Sequence, residues 1–176
     1  NEKINFDYQN LNNLSSEDII NLKNLYYENL NKYIFEKDES KIYIDKMPLN
    51  IVYIAEIHKI FPDAKFLLAI RHPLDCVLSS FMQSFKLNDA MANFLNLEDA
   101  AIAYNEIMNL WFNYNSNHSV NYHIIKYEDV VTNFNESIKN VLDFLNVPWT
   151  DDILNFHKTA IKRKIISTPS YDQVNK

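Results

Sequence analysis

Apolar residues recur along this chain in two alternating patterns. After Ser15, the positions Ile19, Leu22, Tyr26, Leu30 and Tyr33 follow helical spacing and predict a helix to about Phe35. Ser15 with Asp18 three positions on is a capping-box signature at its start. Lys37-Asp38-Glu39-Ser40 then reads as a polar loop. Ile42 to Ile44 predicts a short strand, closed by Asp45-Lys46-Met47-Pro48. Asn50 is placed to cap a helix through Ile60, which Pro62 stops. The apolar run Phe66 to Ile70 ends abruptly at Arg71, and Pro73 opens an amphipathic segment carrying Ser79. That order predicts a buried strand, a tight turn and a helix opened by proline.

Residues 86–96 predict a loop or a broken helix. Asn96 can cap a long helix from Leu97 to about Tyr114, with Ile102, Ile107, Leu110 and Trp111 on its apolar side. A third strand is predicted from Tyr122 to Ile125. A helix from about Glu136 to Leu145 presents Ile138, Val141, Leu142 and Leu145 before Pro148 stops it. A short helix spans roughly Asp151 to Phe156, and the tail from Lys158 reads as irregular. Strands alternating with helices imply an α/β fold, a short parallel sheet flanked by helices.

In such a sheet, ligands bind outside the carboxyl ends of the strands. Lys46, Arg71 and Tyr127 each follow a predicted strand, and Ser79 lies on the helix after Arg71. Lysine supplies a point charge, arginine a planar fork, and the two hydroxyls further donors, a set suited to a polyanion. A helix N-terminus beside Arg71 also favours anions. Each residue has a plainer reading. Arg71 fits a structural salt bridge, Lys46 a solvated loop, Tyr127 the edge of a core and Ser79 an outward helix face. The residues alone leave both readings open, and their convergence favours the site.

Composition narrows the field. The chain has 176 residues, 47% hydrophobic and 23% charged, enough for one domain with a sizeable core. A net charge of −6 argues against nonspecific nucleic-acid binding. Its arginines are Arg71 and Arg163; the other cations are lysines. The single cysteine, Cys76, rules out an intrachain disulfide and fits a reducing compartment, so a bacterial cytoplasm is expected. No apolar run is long enough to span a bilayer, and no signal peptide opens the chain. Glycine is absent, so no glycine-rich phosphate loop lies within these residues. The first residue is Asn1, and a fragment of a longer protein is expected.

The motifs, taken together, have a family likeness. They are Asp45-Lys46-Met47-Pro48-Leu49-Asn50, Phe61-Pro62-Asp63-Ala64-Lys65, Arg71-His72-Pro73-Leu74-Asp75 with Ser79, and Lys126-Tyr127-Glu128-Asp129. Leu154-Asn155-Phe156-His157 and Thr168-Pro169-Ser170-Tyr171-Asp172-Gln173-Val174 complete the series. In this order they resemble the sulfotransferases, in the branch of the tyrosylprotein sulfotransferases and of bacterial sulfotransferases fused to tetratricopeptide repeats. The resemblance runs from about Tyr43 to the end. It implies a P-loop-NTPase-like fold and transfer of a sulfuryl group from 3′-phosphoadenosine-5′-phosphosulfate to a hydroxyl on protein tyrosine, carbohydrate or a small molecule.

By the same resemblance, Arg71 and Ser79 hold the donor's 3′-phosphate and Tyr127 supports that site. Lys46 and Ser170 are implied at the 5′-phosphosulfate end, in catalytic roles. No metal is implied, and His58, His72, His118, His123 and His157 have no ligand-like pairing in sequence. Tetratricopeptide repeats upstream are a possible partner element. Residues 1–176 then read as one sulfotransferase-like domain without its N-terminal phosphosulfate loop and C-terminal element. The family's catalytic histidine has no match, because Met47 and Pro48 follow Lys46, and no matching upstream glutamate is identifiable. Two alternatives stand beside this reading: a P-loop kinase-like nucleotide enzyme, and a nucleotide-binding or interaction module without activity.

Overall fold

The capping box at Ser15 forms as its spacing predicts. The Asp18 amide donates to the Ser15 hydroxyl at 3.1 Å, and the Ser15 amide donates back to the Asp18 carboxylate at 2.9 Å. In this computed structural model, which describes residues 8–34 and 42–155, that box starts helix α1, Ser16–Asn31. Hydrogen bonding to Ser15, side chain first and backbone second, lowers the pKa of Asp18. The chain divides into two compact units, with the boundary between Ile124 and Ile125.

In the first unit, a 3-10 helix Pro48–Tyr53 runs into α2, Ile54–Ile60. Strand β1, Phe66–Ile70, leads to α3, Pro73–Phe81, and a 3-10 helix Met91–Phe94 leads to α4, Leu97–Asn117. Strand β2, Tyr122–Lys126, begins in this unit, contains the unit boundary, and pairs with β1 in a two-stranded sheet. The Phe66 amide donates to the Asn121 carbonyl at 2.9 Å, so the strands lie start beside start and run parallel. The core gathers Ile54, Trp111 and Val120 against Ile51, Phe66, Leu68, Tyr114 and Tyr122. Burial of each large apolar side chain stabilises by about 1.5–3 kcal/mol.

Helix α1 docks on α2 through aromatic edges. The Tyr26 ring meets Phe61 edge-on at 5.0 Å, Tyr27 meets it at 6.1 Å, and the Lys23 ammonium lies 5.9 Å from its centroid. The Tyr26 hydroxyl donates to Asp45 at 3.2 Å and so ties α1 to the segment before Pro48. Burial first, and the Asp45 carboxylate second, raises the Tyr26 pKa.

In the second unit, α5, Tyr127–Thr132, packs on α6, Phe134–Leu145, and a 3-10 helix Asp151–Asn155 follows. Ile138, Val141, Leu142 and Leu145 form the inward face of α6, as their spacing predicts. Helix α6 ends on Asn146 at φ 60°, a left-handed cap that asparagine supplies in a chain without glycine. The Val147 amide then closes back onto the Leu142 carbonyl at 2.9 Å.

Several expectations are corrected. Residues 42–44 are not a strand. They have no ladder partner among the described residues, and the Ile44 side chain is 73% exposed. Asn50 is not the cap of α2. Met47 holds that place for the preceding 3-10 helix, because Pro48 has its φ fixed for the first helical position. On α4, Ile102 and Leu110 face outward, 55% and 42% exposed. The inward stripe is Ala100, Ala103, Tyr104, Ile107, Met108 and Trp111, with Ala100 and Trp111 fully buried. Strand β2 reaches Lys126, one residue further than predicted, and α5 starts at once, which the sequence pattern did not foresee. Helix α1 ends at Asn31 with Lys32 as its C-cap, short of the predicted end at about Phe35, and Tyr33 is left exposed; Phe35 and Phe156 themselves lie outside the described residues.

Two measurements follow. Trp111→Ala should destabilise by about 3–5 kcal/mol, the scale for a deleted core aromatic, whereas loss of the α4 cap in Asn96→Ala should cost about 1 kcal/mol. Urea unfolding should separate the two values clearly. The raised Tyr26 pKa also sets a direction with pH. Its contribution is full below the unfolded tyrosine value, about 10, and is lost as pH rises through the higher folded value. Hydrogen exchange should therefore report faster opening of α1 in alkali. Tyr26→Phe should lose part of that pH dependence.

Candidate anion site at the end of the first strand

Ile70 ends β1, and within three residues the chain has entered a helix. His72 is the N-cap of α3 and makes no side-chain cap bond; Pro73 takes the first helical position, where no amide hydrogen is needed. The Cys76 amide donates to the His72 carbonyl at 3.1 Å, and the Cys76 thiol reaches the Arg71 carbonyl at 3.7 Å. These bonds hold the turn at the carboxyl end of the strand.

Arg71 turns toward the helix it precedes. Its Nε and Nη2 both donate to one carboxylate oxygen of Asp75, at 3.2 and 3.1 Å. The two side chains are 41% and 51% exposed, so the pair is solvated and worth little in stability. Asp75 lies in the first turn of α3, where the helix dipole favours a negative charge. Ser79 follows one turn further along and is exposed, as Asp75 is. The opposite side of α3 carries half-buried Cys76, Val77 and Ser80, and the helix packs on α4. Burial, with Cys76 as the lesser cause, raises the pKa of Tyr104 on α4. Arg71, Asp75 and Ser79 thus form an outward polar series at the end of β1. The salt bridge, the plainer of the two readings of Arg71, is present, and the anion reading concerns the same guanidinium.

The other predicted residues stand elsewhere. Lys46 is exposed on a segment without regular structure, so it does not close a paired strand as expected. It is restrained through its neighbours, with Asp45 bonded to Tyr26 on one side and Pro48 opening the 3-10 helix on the other. Tyr127 is the first residue of α5, directly after β2, half exposed, and belongs to the second unit. Ser170 lies outside the described residues. Sequence reasoning gave Asp75 and Tyr26 no role. The four-residue spacing from Arg71 marks Asp75, but nothing in the sequence pairs Tyr26 with Asp45, 19 positions away.

A groove of about 410 Å³ opens in the first unit between the 3-10 helix after Lys46, the 3-10 helix Met91–Phe94 and α4. The segment 86–96, expected as a loop or a broken helix, contributes Ala90, Asn93 and Phe94 to it. A second polar cluster lies on the core side of α2. His58 Nδ1 is 3.2 Å from the Tyr114 hydroxyl, and Tyr114 stacks on His118 with centroids 4.4 Å apart. Burial, then the Glu56 carboxylate, raises the Tyr114 pKa. One buried oxygen of Glu56 has no hydrogen-bond partner among the described residues. No group of three or more His, Cys, Asp or Glu suited to a metal occurs among them, and no helix among them is long and apolar enough to cross a membrane.

Comparison with known proteins gives this geometry a family. A protein of Aquifex aeolicus (strain VF5), carrying only the name "Uncharacterized protein", is 26% identical over 134 residues. That match covers 76% of this chain and 17% of the relative, so the chain spans a small part of that protein's length. No solved structure matches the chain. The sequence pattern described as "Sulfotransferase family" matches residues 4–151, taking in Lys46, Arg71, Ser79 and Tyr127. A mixed fold of helices with a short parallel sheet agrees with that match, and the chain belongs to the sulfotransferase family.

Proposed function

We propose that this chain carries the nucleotide half-site of an enzyme that transfers a sulfuryl group from 3′-phosphoadenosine-5′-phosphosulfate to a hydroxyl acceptor. The carrying observation is the Arg71 guanidinium at the carboxyl end of a parallel strand, drawn toward the first turn of α3 by Asp75, with Ser79 one turn on. On this reading both compact units belong to one sulfotransferase domain of P-loop-NTPase-like fold. The branch with tyrosylprotein and repeat-fused members is supported by the motifs around Lys46 and Arg71.

A guanidinium, a nearby hydroxyl and a helix start make a donor set that fits a phosphate. Arg71 binds the 3′-phosphate with its planar fork, and Ser79 donates its hydroxyl. Tyr127 adds a second hydroxyl donor on this reading. When bound, the donor supplies the activated group: the acceptor oxygen bonds to sulfur, the sulfur–oxygen bond to the 5′-phosphate breaks, and its electron pair leaves on that phosphate. Lys46 holds a positive charge where the leaving charge develops, and Ser170 serves the same end with a hydroxyl. The acceptor proton passes to a general base. The charge is balanced by side chains, so the transfer is proposed to need no metal.

Two tests bear on this reading. Arg71→Ala should weaken binding of 3′-phosphoadenosine-5′-phosphate by about 1.5–3 kcal/mol, the range for a charged hydrogen-bonding partner. Calorimetry on both proteins measures it, and equal affinities would remove Arg71 from the site. In a radiolabelled donor assay of the intact protein with chelator present, Lys46→Ala should lower kcat by about 10²–10³ and change donor affinity far less. Donor binding without any turnover would favour the binding-module alternative.

A further inference from the structure

The two sides of Lys46 are held in different ways. After it, Pro48 opens a 3-10 helix, the Asn50 amide donates to the Met47 carbonyl at 3.0 Å, and that helix packs on α2 and α4. Before it the chain has no such framework. Residues 42–44 have no ladder partner among the described residues, and Ile42, Tyr43 and Ile44 are all exposed. Among the described residues, the bond from the Tyr26 hydroxyl to Asp45, at 3.2 Å, is the one hydrogen bond that a side chain of residues 42–46 makes. The Lys46 ammonium has no hydrogen bond or ion pair of its own among them, so its place is set through its backbone.

Docking of α1 does not need the tyrosine hydroxyl. The Tyr26 ring meets Phe61 at 5.0 Å and Tyr27 at 5.5 Å, contacts that a phenylalanine would also make. The bond is also a weak contributor to global stability, because Asp45 is exposed and Tyr26 only half-buried. What the hydroxyl adds is a link across 19 positions of sequence, from a helix to the residue immediately before Lys46. A lysine side chain is long and flexible, so a backbone loose on one side would spread its charge over many positions. A charge aids transfer only where the leaving charge forms.

We propose that Tyr26 is a positioning residue: through Asp45 it fixes the backbone from which the Lys46 ammonium reaches the leaving phosphate. What Lys46 does rests on the sulfuryl-transfer reading; how it is held rests on the Tyr26–Asp45 geometry.

Donor assays of the intact protein, with calorimetry of 3′-phosphoadenosine-5′-phosphate beside them, test the role. Tyr26→Phe should lower kcat by about tenfold, the scale of one lost hydrogen bond to a charged group, and leave the nucleotide Kd within about twofold. Asp45→Ala should match Tyr26→Phe. Asp45→Asn keeps an oxygen that accepts the hydroxyl and should lie between Asp45→Ala and the parent. The double variant Tyr26→Phe with Asp45→Ala should be no slower than either single one, because both remove the same link. Hydrogen exchange of the peptide spanning residues 42–47 should quicken in Tyr26→Phe, while that of α2 stays as in the parent. An unchanged kcat in Tyr26→Phe would overturn the proposal. So would additive losses in the double variant, or a fall in kcat matched by an equal loss of nucleotide affinity, which general destabilisation would give. Lys46→Ala in the same assay separates the two readings. If it is slow and Tyr26→Phe is not, the anchor alone is removed. If Lys46→Ala is as fast as the parent, or no form turns over, the catalytic lysine is removed and the positioning role with it.

Discussion

Parallel pairing of β1 with β2 is the constraint on which the first unit depends. Parallel neighbours cannot be joined by a hairpin, so the chain must leave the sheet, travel its length and return. Helices α3 and α4 are that return path, and they pack on each other. Trp111 is where α4 meets the sheet, its ring edge-on to Tyr122 of β2 at 5.1 Å and its side chain almost wholly buried. The same constraint makes the candidate site. A strand that must hand over to a crossover helix at once leaves its next residue at the strand end, beside a helix start. Arg71 is that residue, and Pro73 fixes the handover.

What was legible in the sequence was local. Phe66 to Ile70 needed only an apolar run and a proline to be read correctly, and Ser15 with Asp18 needed only spacing. Residues 42–44 have a similarly apolar character, but a strand exists only with a partner, and their own residues carry no information about one. Asn50 against Pro48 was a contest between a side-chain bond and a fixed backbone angle, and the backbone prevailed. On α4, large apolar residues occupy opposite sides of the helix, so hydrophobicity alone could not choose the buried one. The structure turns Ala100, Ala103 and Trp111 inward and leaves Ile102 and Leu110 exposed. Of the candidate site, Arg71 and Ser79 were legible with the turn between them. Asp75 was visible as a spacing without a meaning, and the bond from Tyr26 to Asp45 was not visible at all.

On the proposed reading, the Arg71–Asp75 pair answers a practical need of an anion site on a negatively charged protein. An arginine at a strand end has many rotamers, and ordering it at the moment of binding would reduce affinity. Asp75 orders it beforehand with two bonds to a single oxygen. Because both side chains are about half exposed, that order is weakly held, within about 1 kcal/mol. A phosphate, with more charge and more oxygens than a carboxylate, then competes well for the same fork. A buried pair would be a poor choice at this place. Breaking it would strand a charge away from water, at several times the cost.

On the same proposed reading, Lys46 meets that need by another route. Its segment has no ladder and no helix to hold it, and a lysine side chain is flexible in itself. A positive charge aids transfer only where the leaving charge forms, so a loosely placed lysine would contribute little. The restraint comes from both sides of the residue. Tyr26 anchors Asp45 immediately before it, and Pro48 fixes the backbone two positions after it. Tyr26 is itself seated on Phe61 at the end of α2, so the anchor is carried by packed aromatic rings. The proposed catalytic charge therefore depends on a helix, α1, that carries none of the proposed site residues.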